Sequence, residues 1–471
     1  MTTISSMRRV AVALATFALL VAGCGGASTS GSATGTSGGA EIAPADALAF
    51  VSVDTDRDSG QWKQADTLLK KFPGRDQLLR SLNDSSSGVD PSDVLPLLGK
   101  EVDIVVLDAQ SGPPHVVAMT QPTDEQKFDA LLEKTNPPSV HERVGDWTVF
   151  SNTQEDLTAF TNASSGDKLA DDGRFKDAMG ELPGDANAKA YVNGDRALAA
   201  VKAAMPQLGQ VTTGNTEWLS LAISSQDDGW KLDGAAKSSQ SANAESFAPT
   251  LLDKVPAGSL VVASFKGGDR ALKQLESSPS FGQLSQLEAL IGVKLSDIED
   301  LLAGEGVLYV QKGSPFPEVT VRVKQQDAAK ARSVLDQLAA RASAFLNGRL
   351  TQQGSIEKLS LGTVALYFGV DGGDLVVSDS TAPFGSTVSQ SIEDDPMFGD
   401  AKDAAGLPDQ SSGFVYVNIK DSVPVVEGFA QADGQDVPPN VSQNLAPLQS
   451  FLAYTTASGD LQKFSGLLLV R

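Results

Sequence analysis

Short apolar runs alternate with polar positions along most of this chain. In "LAFVSVD", "VDIVVLD", "HVVAMT", "DWTVFS" and "KAYVN", β-branched and aromatic residues fall at alternate places, which predicts strands. Stretches such as "DEQKFDALLEK" repeat apolar residues at helical spacing and predict amphipathic helices. Several strand runs are separated by gaps of hairpin length, as in "VVLDAQSGPPHVVAM". Parallel neighbours would need a long crossover there. The pattern therefore predicts an α+β protein, with sheets that are antiparallel or mixed and helices packed mainly on one face. The alternation in "AFVSVD" predicts one buried and one less buried face.

The pattern is written twice. "VDPSDVLPLLGKEVDIVVLD" from Val89 matches "VKLSDIEDLLAGEGVLYVQK" from Val293, each with Ser-Asp opening a helical turn before a glycine and a strand. "HVVAMTQPTDEQKFDALLEK" from His115 matches "EVTVRVKQQDAAKARSVLDQL" from Glu318. "LADDGRFKDAMGELPGDANAKAYVN" from Leu169 matches "IEDDPMFGDAKDAAGLPDQSSGFVYVN" from Ile392. Paired runs close each unit, from Trp218 and from Phe451, and the openings at Pro44 and Pro256 agree. The expectation is two tandem homologous lobes, residues 42–238 and 247–471, joined at the polar "KSSQSANAES". Units of roughly 200 residues far exceed a solenoid period, so each should have its own core.

The N-terminus changes the picture from fold to address. Arg8-Arg9 precede an uncharged run from Val10 to Leu20 and then Val21-Ala22-Gly23-Cys24. The apolar part is shorter than the roughly 20 residues needed to span a bilayer, and its layout is that of a secretory signal peptide. "LVAGC" resembles a bacterial lipobox. The resemblance implies cleavage after residue 23 and a diacylglyceryl group on Cys24, the only cysteine in the chain. Two acyl chains make a stable anchor where one is marginal. Residues 24–41, rich in Gly, Ser and Thr, should form a flexible tether. The expected location is the extracytoplasmic face of the cell membrane.

Composition narrows the function. The chain of 471 residues carries 37 Lys+Arg and 59 Asp+Glu, a formal charge of −22. That sign argues against nucleic-acid binding, which needs a basic footprint. With 41% hydrophobic residues it can bury substantial cores, and with one cysteine it has no internal disulfide to support them.

Candidate chemistry is sparse. "DTDRDSG" places Asp54, Asp56 and Asp58 like the opening of a calcium loop, but position 6 is Ser59 and position 12 is Ala65, so both defining features fail. The plainer expectation is a strand end followed by Asp58 or Ser59 capping a helix near Trp62. "DDGRF" at Asp171 and "DDPMF" at Asp394 could be an acid/base pair, yet recurrence in both units suits a helix cap with a core phenylalanine. His115 and His141 are the only histidines, too few for a zinc site without carboxylates. No nucleophile elbow and no His-Glu-x-x-His occurs. All four tryptophans, Trp62, Trp147, Trp218 and Trp230, lie in the first unit, either as core filling or as an aromatic surface.

The succession "PADALAFVSVD", "QWKQADTLLKKFPG", "LLGKEVDIVVLD", "HVVAMTQPTDEQKFDALLEK", "LADDGRFKDAMGELP" resembles the bacterial family catalogued as domain of unknown function 3352. The resemblance implies an extracytoplasmic, often membrane-attached protein and carries across no catalytic residue. The expectation is thus a membrane-anchored lipoprotein that acts as a non-catalytic binding or scaffold protein of the envelope, without a cofactor. Its partner would be an envelope protein or an amphiphilic ligand, bound between the lobes or on the first. Two alternatives are a weak calcium-binding protein and a carboxylate-based envelope hydrolase. The hydrolase requires Asp54, Asp56, Asp58 or Asp171 to converge with His115 or His141 in a concave pocket.

Overall fold

The computed structural model describes residues 38–75, 91–107, 113–135, 138–204, 216–238, 245–276, 294–314, 316–362, 364–385, 388–435 and 437–471. The signal segment, Cys24 and most of the tether lie outside the described residues, as does the middle of the seam.

The first-half strands are β1 (Ala49–Asp54), β2 (Glu101–Leu107), β3 (His115–Thr120), β4 (Val140–Val144), β5 (Trp147–Ser151), β6 (Ala188–Asn193), β7 (Thr216–Gln226) and β8 (Gly229–Ser238). The second half adds β9 (Val261–Lys266), β10 (Glu305–Gln311), β11 (Glu318–Lys324), β12 (Arg349–Gln353), β13 (Ile356–Leu361), β14 (Val364–Asp371), β15 (Asp374–Ser378), β16 (Gly413–Asn418), β17 (Leu448–Ser458) and β18 (Leu461–Val470). Every pairing among them is antiparallel. Among the described residues the pairs join 18 strands into one sheet. Outward from the central β8–β18 pair, one side runs β7, β6, β1, β2, β3, β5, β4 and the other β17, β16, β9, β10, β11, β15, β14, β13, β12. The central pair meets at Asp233 and Ser465, each the fifth residue of a ten-residue strand. The halves therefore share a sheet instead of forming separate sheets. Long apolar strands at both closing hairpins would otherwise leave two open edges.

Local contacts follow the same mirrored order. Ala45 N donates to Asp167 O, Leu48 N to Val106 O and Asn193 N to Leu48 O. In the second half Ala257 N donates to Gln390 O, Leu260 N to Val310 O and Asn418 N to Leu260 O. Phe175 meets Tyr191 edge-on at 5.2 Å, and Phe398 meets Tyr416 at 5.1 Å.

The helices are α1 (Gly60–Leu69), α2 (Pro91–Val94), α3 (Glu125–Leu132), α4 (Gln154–Ala163), α5 (Gly173–Gly180) and α6 (Gly194–Ala204), then α7 (Gly268–Glu276), α8 (Leu295–Leu302), α9 (Ala328–Phe345), α10 (Pro396–Ala405), α11 (Ile419–Ala432) and α12 (Pro439–Leu445). They cover both faces of the sheet. Val117 and Met119 pack with Phe160 of α4, whereas Ala118 between them packs with Phe128 of α3. Adjacent strand residues point to opposite faces, so α3 and α4 lie on opposite sides. In the second half Tyr309, paired with Thr320, packs against Phe398 of α10. Val323 points the other way, onto Leu335 of α9. The expectation of helices mainly on one face is corrected. Runs such as "DIVVL" are apolar at consecutive places, and both of their faces need cover.

Residues 38–41, expected as the end of a flexible tether, are instead part of the folded body. Gly38–Glu41 forms a 3₁₀ turn with Gly39 and Ala40 buried. A Cβ at Gly39 would fall 1.9 Å from an Asp103 carboxylate oxygen, so only glycine fits there.

Candidate functional site

The loop after β1 folds its own carboxylates inward. Asp54 accepts the Asp56 N–H at 2.9 Å and the Ser59 hydroxyl at 2.6 Å, and Asp56 accepts the Asp58 N–H at 3.0 Å. Ser59 in turn caps α1 by accepting the Trp62 N–H at 3.0 Å, while the Trp62 indole donates to Asp54 O at 2.7 Å. These are Asx-type turns ahead of a helix cap, with carboxylate lone pairs already engaged. Among the described residues no group of three or more His, Cys, Asp and Glu is arranged to hold a metal ion.

This loop is one wall of a cleft of about 530 Å³. Gln61 and Gln64 project from the first turns of α1, and Glu101, Asp185 and Lys189 line the other walls. Glu101, at the start of β2, accepts the Gly38 N–H at 2.8 Å, so the N-terminal segment meets the folded body at the cleft rim. Lys189 donates to Gly184 O at 2.7 Å. Burial pushes its ammonium below the ordinary lysine range, against the raising influence of Asp185.

A second hollow of about 600 Å³ shares Gln61, Gln64 and Asp185 with the first, which makes one trough of the two. Its floor is the β7–β8 hairpin with Lys231 and Asp233, and its far wall is Ala404 of α10 with Leu467 of β18. It therefore runs from the first half to the junction of the halves. Ser465 donates to Asp233 at 2.7 Å, and Lys231 lies 3.4 Å from the same carboxylate. Lys463 meets Glu181 at 2.5 Å across the junction.

The convergence that the alternative hydrolase reading requires does not assemble from these residues. His115 pairs with buried Asp156 at 2.8 Å, and Asp156 also accepts from Ser151 at 3.1 Å and Thr153 at 2.6 Å. A triad needs the histidine between nucleophile and acid, but here the serine bonds the acid itself. Asp54 pairs with Glu101 at one end of β2 and His115 with Leu107 at the other, so about 20 Å separates them at ~3.3 Å per residue. His141 lies 3.4 Å from Asp129 on edge strand β4. Asp171 is exposed beside Lys176, 3.8 Å away. Its neighbour Asp172 caps α5 through Phe175 N, and Asp395 caps α10 through Phe398 N.

Trp147 and Trp218 are buried in the first-half core. Trp230 packs on Phe72 at 5.9 Å, and none of the four tryptophans lines the trough. Sequence reasoning missed Gln61, Gln64, Glu101, Asp185 and Lys189. One signal was present for Glu101: "LLGKE" and "LLAGE" both set a glutamate at the strand start. Glu305 indeed does the same work, accepting Leu251 N at 2.8 Å and the Thr250 hydroxyl at 2.7 Å.

The sequence model of the family described as "Protein of unknown function (DUF3352)" matches residues 119–468. No curated protein matches. Among solved structures the chain is similar to TP0453 in crystal form III, with 14% identity, 47% of this chain and 80% of that chain covered, and a TM-score of 0.26. For crystal form IV the identity is 13%, the coverage 44% and 75%, and the TM-score 0.22.

Proposed function

We propose, for a chain that belongs to the DUF3352 family of proteins of unknown function, that it is a lipid-anchored extracytoplasmic binding protein whose trough receives a polar group of an envelope partner. The trough at the junction of the halves carries this reading. Clefts between packed units are the common place for ligands, and its side chains are hydrogen-bonding ones rather than the apolar lining an acyl chain needs. The non-catalytic reading draws support from His115 and His141, which lie away from the trough and from the Asp54 loop. We read the two halves as copies of one unit, supported by the mirrored strand order and the matched hydrogen bonds. On that reading the second hollow lies between the two units, with Pro183 and Asp185 of the loop after α5 on one side and Ala404 of α10 on the other. The anchor reading rests on Cys24, the sole cysteine, behind a signal-like segment.

A photo-cross-linker in place of Gln64 tests the binding reading in the native envelope, with exposed Lys134 as the control position. A discrete adduct from position 64 alone is expected. Products no different from those at position 134 would remove the trough as the binding site. The anchor is tested separately, since Cys24→Ala should release the protein to the medium or block its processing.

A further inference from the structure

We propose that the second hollow takes a carboxylate group, held by Lys231 in the place that Glu181 fills against Lys463 on the far side of the junction. The inference rests on the trough reading and names the chemistry of one end of the trough. The central pair Asp233–Ser465 is the pivot. Lys231 stands two residues before it on β8 and Lys463 two residues before it on β18, so the pairs Lys231–Leu467 and Ala235–Lys463 lie on either side. Pairing of this kind relates the two strands by a local two-fold axis, as in an interface between identical subunits. Opposed and alternate residues share a face, so both lysines flank the Asp233–Ser465 pair on one face of the sheet.

The helices packed on the junction follow the same axis. Asp172 caps α5 and Asp395 caps α10, and nine residues on from each come Glu181 and Ala404. Glu181 meets Lys463 at 2.5 Å. Ala404 borders the hollow with Lys231. A methyl group thus stands where the opposite side has a carboxylate, and the hollow opens at that place. Lys231 leans instead on Asp233 of its own strand at 3.4 Å, and Asp233 already accepts the Ser465 hydroxyl at 2.7 Å. An ammonium has three N–H donors, so Lys231 can keep that contact and give a second, charge-assisted bond to an incoming carboxylate. The acids nearby do not forbid it. Glu181 holds beside Lys463 although Asp233 occupies the adjoining strand pair, and Asp227 is engaged by the Gln64 amide.

The test is lysine acylation of the purified mature chain carrying Cys24→Ala, with an N-hydroxysuccinimide ester as reagent and each lysine read by mass spectrometry. Propionate, which reproduces the end of a glutamate side chain, is the probe, added against chloride at equal ionic strength. It should lower the labelling of Lys231 by about threefold or more and leave exposed Lys134 unchanged. With Ala404→Glu added, the new carboxylate should protect Lys231 without propionate, down to the level of Lys463, and propionate should add nothing. Equal labelling of Lys231 with and without propionate in the parent overturns the proposal. So does a Lys231 in the Ala404→Glu chain that labels, or responds to propionate, as the parent does. The adduct from position 64 reports on the trough in the envelope and needs no propionate, so failure of the binding reading is distinguishable from failure of this one.

Discussion

Glu101 and Glu305 set the tone at the scale of single residues. Each opens a strand and reaches across to hold the chain that enters its half, Gly38 in one case and Thr250 with Leu251 in the other. Burial alone would raise the Glu305 carboxyl, but hydrogen bonds from Thr250, Leu251 and Lys324 outweigh it and hold the pKa below the ordinary glutamate range. A depressed carboxyl binds fewer protons folded than unfolded. Its stabilisation is therefore complete above the ordinary pKa of about 4.3 and is lost as pH falls through the folded value. Glu305→Gln should lower stability by about 1–3 kcal/mol at neutral pH. Denaturant titrations should show the gap to the parent closing below about pH 4. A gap that is constant with pH would mean that the carboxylate charge contributes nothing.

The elements were the most legible level, because strand and helix periods differ. Ser59 as the cap ahead of Trp62, the acidic caps at Asp172 and Asp395, and the helical turns opening at Ser-Asp were all readable as local chemistry. The irregularities of the closing strands were hidden. Asn193 faces Trp218 and Asn418 faces Ser450, each just past a register shift. A bulge inserts a residue that no periodicity announces. The edges of the sheet were equally hidden, and they fall on the polar strands "VHERV" and "RLTQQ", which suit positions with no further partner. At the centre, a Cβ on Gly234 would meet the Phe464 ring of β18 at 2.2 Å and Ser220 O at 2.7 Å. Gly234→Val should therefore destabilise the protein by about 1–3 kcal/mol. Thermal melts of the variant would check this, and an unchanged midpoint would mean that the ring moves aside freely.

For the whole molecule, the central ladder between β8 and β18 decides how separable the halves are. Lys71 donates to Val470 O at 2.8 Å and Gly74 N to Asn444 at 2.6 Å, so the turn after α1 also ties the halves together. Residues 42–238 produced alone would expose β8 along its full length, an edge built to pair with a strand like itself. Light scattering on that fragment should show a dimer or larger species, whereas a stable monomer would mean the edge protects itself.

The sequence by itself determined the local periods, the helix caps, the order of motifs and the net charge, because each depends on residues close together in the chain. Only the tertiary structure decided that both faces of the sheet are covered, that the halves share one sheet, and that Gln64, Asp185, Lys189 and Asp233 border one trough. Those facts depend on strand pairings between residues up to 240 positions apart, such as Gly229 with Leu469. Pairing at that separation is selected by the total fit of two surfaces, a quantity that no single stretch of sequence carries.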